Sequence, residues 1–237
     1  MNGTIASLTF ANLTRGWRAL LLSLLPLLFL CIAVLLSLYE SARRPAIEGL
    51  LNDLNLTTIV PLIALIVGTG SLATEIDDGS IIYLLTKPLN RHRIIATKLA
   101  VAIGVSVALT AIPTFIAGVL LSGTVGAVAI AYTLVVTINC IVYSALFIML
   151  SALTRHAVII GLVYLLLWEG LITGLIDGAR VLSVQHWGTS VGGALFPDAI
   201  SSPVNGTLAA VLAVVVFTAA TWYAGSRLRS LTLTSES

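Results

Sequence analysis

Residues 75–98, EIDDGSIIYLLTKPLNRHRIIATK, form a long polar stretch between two segments that are apolar enough to span a membrane. Asp77 and Asp78 suit the start of a short helix, where a carboxylate caps free N–H groups and meets the positive end of the helix dipole. Pro88 predicts its end, because a proline disfavours helical geometry in the residue before it. The sequence therefore predicts a short capped helix in this stretch.

This predicted helix carries an apolar patch that needs a partner. The patch is too short to cross a bilayer, which takes about 20 apolar residues in a helix. It comprises Ile81, Ile82, Leu84 and Leu85. Because it lies between charged residues and directly joins two apolar segments, it could pass a displacement from a soluble partner into the membrane. The alternative from the residues alone is an inert interfacial loop.

The composition is that of a polytopic membrane protein. Apolar residues make up 58% of the chain and charged residues 9%, whereas soluble domains carry roughly 25% charge. Cys31 and Cys140 both lie in apolar runs and are expected to be core residues. The first apolar run is long enough to span the bilayer, so no removable signal peptide is predicted.

The uncharged runs predict an all-α protein with six transmembrane helices in one transmembrane domain, residues 1–237. The helices are expected at 19–39, 54–74, 96–121, 127–153, 157–176 and 208–225, with a break at 122–126. Residues 1–18 are predicted to be an N-terminal interfacial segment, with a disordered tail as the alternative, and residues 40–53 a loop. Residues 177–206 mix charges, glycines and prolines, and are predicted to be an extracytoplasmic re-entrant or interfacial segment.

The distribution of basic residues predicts the orientation, because cytoplasmic loops carry an excess of Lys and Arg. Nine of the twelve fall on one side of the predicted spans: Arg15, Arg18, Lys87, Arg91, Arg93, Lys98, Arg155, Arg227 and Arg229. The other three, Arg43, Arg44 and Arg180, fall on the opposite side. Both termini and the 75–98 stretch are therefore expected in the cytoplasm.

Motifs of catalysis and of ATP binding are missing from the sequence. It contains no phosphate loop of the form G-x-x-x-x-G-K-[ST] and no H-E-x-x-H pair. His92, His156 and His186 are scattered, so no metal site is predicted. We expect no catalytic residue and no cofactor in this chain.

The arrangement around residues 75–98 resembles the ABC-2 permease family. An acidic residue directly follows the second span, then come a Gly-small-hydrophobic group, leucines, a basic residue with proline, an arginine, and a helix with a lysine near its start. The matching residues are Glu75, Gly79, Ser80, Leu84, Leu85, Lys87, Pro88, Arg91 and Lys98. The family often has another serine before the proline, where this chain has Lys87. The six-span plan extends the resemblance to the whole chain.

The resemblance implies that residues 75–93 form a cytoplasmic coupling segment that docks onto a separate ATPase. The coupling residues would be Glu75, Asp77, Asp78, Gly79, Ser80, Leu84, Leu85, Lys87, Pro88 and Arg91. It further implies two cassette ATPase subunits, which bind ATP and Mg, and a second permease protomer, identical or related. The expected location is the cell membrane of a bacterium, with multiple passes through the bilayer and no nucleic-acid partner.

No ring of charge is predicted along a pore, which favours export of an amphiphile such as a lipid, drug or peptide over a bare ion. Glu169 is the one acid inside the predicted fifth span, and such acids often mark a translocation pathway. Because it lies close to the end of that span, it could instead belong to the outer interface. Alternative functions are a stand-alone secondary transporter or channel that uses Glu169, and a membrane-embedded transferase.

Overall fold

The computed structural model describes residues 17–39, 45, 47–77, 91–200 and 204–233, with side chains for 20, 22–39, 45, 47–72, 94–200 and 204–227. This part of the chain is almost entirely helical and forms seven helices. They are α1 (Trp17–Ser37), α2 (47–77), α3 (Arg91–Ser122), α4 (Ala127–Leu153), α5 (157–175), α6 (Val184–Leu195) and α7 (Gly206–Leu233). A 3₁₀ turn, Asp177–Leu182, links α5 to α6.

Five helical segments are long and apolar enough to cross a membrane: Ile47–Leu72, Ile94–Ser122, Ala127–Leu153, Ala157–Leu175 and Gly206–Arg227. In α1, the stretch Leu22–Ser37 is a shorter apolar helix. Helix α3 ends at Ser122 and α4 begins at Ala127, which agrees with the predicted break. Gly123 in the turn between them has a φ of 74°, a backbone angle that favours glycine. These helices make the chain a multi-pass membrane protein.

Helix α2 differs from the sequence prediction at both ends. Its first part, Ile47–Ile59, is a π-helix that continues into the α-helical part Val60–Asp77. The predicted loop at 40–53 is therefore wrong for residues 47–53, where Leu50 and Leu51 are buried. At the other end, the helix runs through Asp77, so this residue lies at the end of a long helix and does not begin a new one.

Helix α4 is the centre of the fold and contacts α2, α3, α5, α6 and α7. Neighbouring helices approach it closely at glycines, as expected where helices associate in membranes without water to drive them together. A Cβ on Gly68 of α2 would lie 2.9 Å from the Phe147 Cβ, and one on Gly118 of α3 would lie 2.8 Å from the Ala129 Cα. The core follows α4 and includes the stacked, fully buried rings of Tyr143 and Phe147.

The segment between α5 and α7 folds back into the helix bundle. Gly188 of α6 packs against Asn139, which lies near the midpoint of the 27-residue α4. Gly192 packs one turn closer to the N-terminus of α4, against Val135. The first half of α6 therefore packs beside the middle of a candidate membrane span. The re-entrant position predicted for residues 177–206 stays a prediction, and we name α6 the re-entrant helix after it.

Candidate functional site

Glu169 lies at the point where α5 meets the re-entrant segment. Its side chain is 3% exposed, and it occupies the π-helical part of α5, Tyr164–Ile172. One carboxylate oxygen, Oε1, accepts hydrogen bonds from the Tyr164 hydroxyl and from the Val184 backbone N–H, both at 3.0 Å. The other, Oε2, accepts one from the Ser183 hydroxyl at 2.5 Å. The carboxylate is thus fully engaged by donors.

These bonds fasten the N-terminus of α6 to α5. Val184 is the first residue of α6, so its N–H has no acceptor within the helix. An anionic side chain at that position also complements the helix dipole. Ser183 caps the same end by accepting from the His186 N–H at 3.3 Å, and its hydroxyl lies 3.0 Å from His186 Nδ1. Glu169 therefore acts as the anchor of the re-entrant helix.

A second bond holds α6 to α2. The Gln185 side chain donates from Nε2 to the Thr57 hydroxyl at 3.0 Å, and Thr57 lies in the π-helical part of α2. Pro61, four residues later, has no N–H to donate to the Thr57 carbonyl, which weakens ordinary α-helical bonding at this place. Both π-helical segments, in α2 and in α5, thus provide a contact to α6. Such segments often occur at functional positions in helices.

Two glycines allow α6 to pack closely against α4. Gly188 and Gly192 form a G-x-x-x-G pair, which lets two helices approach closely. A Cβ on Gly188 would lie 2.1 Å from Asn139 Oδ1 and 2.7 Å from Asn139 Cγ, and one on Gly192 would lie 2.4 Å from Val135 Cγ2. The interface has no room for a side chain at either position.

Several buried polar groups beside this interface have no hydrogen-bond partner within the described residues. They are both amide atoms of Asn139 and the hydroxyls of Tyr143 and Ser190. The Tyr143 hydroxyl also lies close to the Glu169 carboxylate. Unpaired buried polar groups cost free energy, typically about 1–3 kcal/mol each. Asn139 of α4 therefore places unpaired polar atoms directly against α6.

Lys98 connects the two helices on either side of the predicted coupling segment. Its side chain is fully buried, and Nζ donates to the Ser71 carbonyl at 2.8 Å. Ser71 lies in α2 and Lys98 in α3, so this bond joins the two helices that flank residues 78–90. Lys98 is one of the nine basic residues expected on the cytoplasmic side of the spans, and its side chain lies inside the helix bundle.

The coupling residues themselves can be located only in part. Glu75 and Asp77 lie on the last turns of α2, and Arg91 is the first residue of α3. The structure describes the backbone of these three residues but not their side chains. Seven others lie outside the described residues: Asp78, Gly79, Ser80, Leu84, Leu85, Lys87 and Pro88. Their coupling role stays a prediction, as does the place of Glu169 in a translocation pathway. Within the described residues, no three His, Cys, Asp or Glu side chains lie together as a metal site would require.

The described architecture is that of a helical multi-pass membrane protein in which a buried carboxylate, Glu169, holds the start of α6. A family model described as "ABC-2 family transporter protein" matches residues 4–185. The match covers most of the 237-residue chain and includes the whole 75–98 stretch. The chain belongs to the ABC-2 transporter family. A search among curated proteins finds no match.

Membership in this family defines the class of activity. ABC-2 permeases are membrane components of ABC transporters and work with ATP-binding cassette subunits, and they are in general not catalytic themselves. The family predicted from Glu75, Gly79, Pro88 and the surrounding residues is thereby confirmed.

Proposed function

We propose that this chain is the permease subunit of an ABC exporter that moves an amphiphile across a bacterial cell membrane. It pairs with a second permease protomer and with two cassette ATPases that bind ATP and Mg. Helix α1, with 21 residues, is about 31 Å long at 1.5 Å per residue and serves as the sixth span. Both termini and residues 75–93 face the cytoplasm, in keeping with the excess of basic residues on that side.

The observation that carries this proposal is the bond between Lys98 Nζ and the Ser71 carbonyl. It ties α2 to α3 close to the membrane end of the coupling segment. A displacement of that segment by an ATPase therefore moves the two helices together. Both helices contact α4, so the movement reaches the centre of the bundle.

Docking on the ATPase is tested by the double substitution Leu84→Asp and Leu85→Asp. Leaving a charge buried without a partner costs about 3–5 kcal/mol, which weakens binding roughly a hundredfold or more. We expect the ATPase to be lost when the permease is purified from membranes.

The matched control is the pair Thr124→Asp and Val125→Asp, which adds two charges in the exposed turn between α3 and α4. This turn lies on the opposite side of the membrane in the proposed topology, so the ATPase should stay bound. An ATPase that remains bound to the Leu84 and Leu85 variant, with transport unchanged, would contradict the proposed docking.

Transmission through the membrane base of the segment is tested by Lys98→Met, which keeps a long apolar side chain and removes the donor to Ser71. We expect ATP hydrolysis by the assembled complex to continue and transport to fall, because α2 and α3 no longer move as one unit. Arg155→Met is the control: it removes an exposed charge from the turn between α4 and α5. Equal transport in the two variants would mean that Lys98 has no part in coupling.

A stand-alone secondary transporter is the second candidate, since Glu169 is a buried carboxylate inside a candidate membrane span. In that case the protonation of Glu169 would drive the cycle, without an ATPase. The two candidates differ in what Glu169→Gln does to transport.

A further inference from the structure

An apolar cavity of about 490 Å³ lies between α4, α5, α7 and the N-terminal part of α6. This volume is in the range of small-molecule sites, about 300–1,000 Å³. Its walls are aliphatic and aromatic and include Phe147, Tyr164, Trp168, Trp187, Leu212 and Val216. The cavity is open on one side.

The polar atoms of the aromatic walls are already used. Trp168 Nε1 donates to the Leu182 carbonyl at 3.4 Å, and Trp187 Nε1 donates to the Val181 carbonyl at 2.6 Å. The Tyr164 hydroxyl donates to Glu169. The aromatic walls therefore offer a ligand only ring surface, and a polar group placed there would lose its hydration without compensation. The cavity is thus suited to a hydrocarbon ligand.

The surroundings of the cavity supply such a ligand. Helices α5 and α7 both pack on α4 and make few contacts with each other. Their outer faces carry exposed apolar side chains such as Leu167 on α5 and Val215 on α7. In the membrane, these faces meet the hydrocarbon of the bilayer. An α-helix with its side chains is about 10–12 Å wide, too bulky for this cavity, so a helix of a second copy is not its occupant.

We propose that the cavity binds one hydrocarbon chain of a bilayer lipid, which enters between α5 and α7. The bound chain touches Val184 and Trp187 of the re-entrant helix and the ring of Tyr164, whose hydroxyl bonds to Glu169. The lipid chain therefore packs against both α6 and the part of α5 to which α6 is bonded. This inference goes beyond the proposed function, because it requires neither the ATPase nor transport.

Quenching of Trp187 fluorescence by lipid tests the proposal. The full chain with Trp17→Phe, Trp168→Phe and Trp222→Phe keeps a single indole, Trp187, which is 4% exposed. It is reconstituted into phosphatidylcholine vesicles with either plain or dibrominated acyl chains, since bromine quenches indole emission at short range. We expect the brominated chains to cause a large loss of Trp187 emission.

Val216→Phe in the same background fills the cavity and should restore most of the emission, and Leu212→Phe serves if the first variant does not fold. A chain with Trp222 as the single indole, 67% exposed, should be quenched with or without the filling substitution. Trp187 emission that is insensitive to bromine, or that is lost equally in the filled variant, would overturn the proposal. Since no ATPase is present, either result leaves the proposed permease function standing.

Discussion

Glu169→Leu is expected to detach the re-entrant helix and to lower the stability of the chain. The substitution removes the acceptor for the Tyr164 hydroxyl, the Ser183 hydroxyl and the Val184 N–H. A buried donor left without a partner costs about 1–3 kcal/mol, and the Val184 N–H at the start of α6 has no alternative within its helix. The measurement is the midpoint of thermal unfolding in detergent, together with transport by the reconstituted complex.

Glu169→Gln is the control that separates hydrogen bonding from charge. Glutamine keeps an acceptor oxygen for Val184 and Tyr164, and its amide can donate to the Ser183 hydroxyl. We expect it to restore most of the stability and of the ATP-driven transport. A stable Glu169→Gln protein without transport would instead assign the charge or protonation of Glu169 to the transport cycle, and would favour the secondary transporter.

Gly188→Val is the second substitution with a large expected effect. The new Cβ would meet Asn139 Oδ1 at 2.1 Å and Cγ at 2.7 Å. Asn139 is fully buried, so its side chain cannot move into open space. Overpacking of this kind lowers the free energy of unfolding by about 1–3 kcal/mol. We expect α6 to move away from α4. Limited proteolysis of the 177–206 segment measures this, because a displaced segment becomes accessible to the protease.

The control is Gly174→Val in α5, where an added Cβ meets nothing within 4 Å. It makes the same chemical change in a helix next to the re-entrant segment and should leave cleavage at the parental rate. If Gly188→Val is as resistant as this control, the packing of α6 against α4 does not hold the segment in the membrane.

Much of the fold could be predicted because a membrane imposes a simple rule on the sequence. Uncharged runs of about 20 residues become helices, and the break at residues 122–126 is recognisable by its small polar residues and glycines. The family could be predicted because its pattern is local: residues from Glu75 to Lys98 carry it without any knowledge of the fold. The docking role of Leu84 and Leu85 stays a prediction until the ATPase is tested.

The parts that could not be predicted depend on partners far away in sequence. Residues 47–53 suggest a loop because they carry Glu48, Asn52 and Asp53, yet the helix continues and Asn55 donates to Thr114 of α3 at 2.8 Å. Glu169 is ambiguous in sequence because its donors, Ser183 and Val184, reach it only when the segment folds back. The Gly188–Gly192 pair was a usable signal that the sequence analysis missed, although its partner helix could not be identified from spacing alone.

The depth of α6 has a consequence for how this protein is made. Its exposed edges aside, the helix buries Gln185, Thr189 and Ser190, and such groups do not enter hydrocarbon on their own. The surfaces against which α6 packs belong to other helices: Gln185 bonds to Thr57 on α2, Gly188 packs on Asn139 of α4, and the Ser190 carbonyl faces Gly206 of α7. Insertion of the long helices must therefore come first, and α6 slides into place only after they have assembled. Although α6 is synthesised before α7, it therefore takes its final position last.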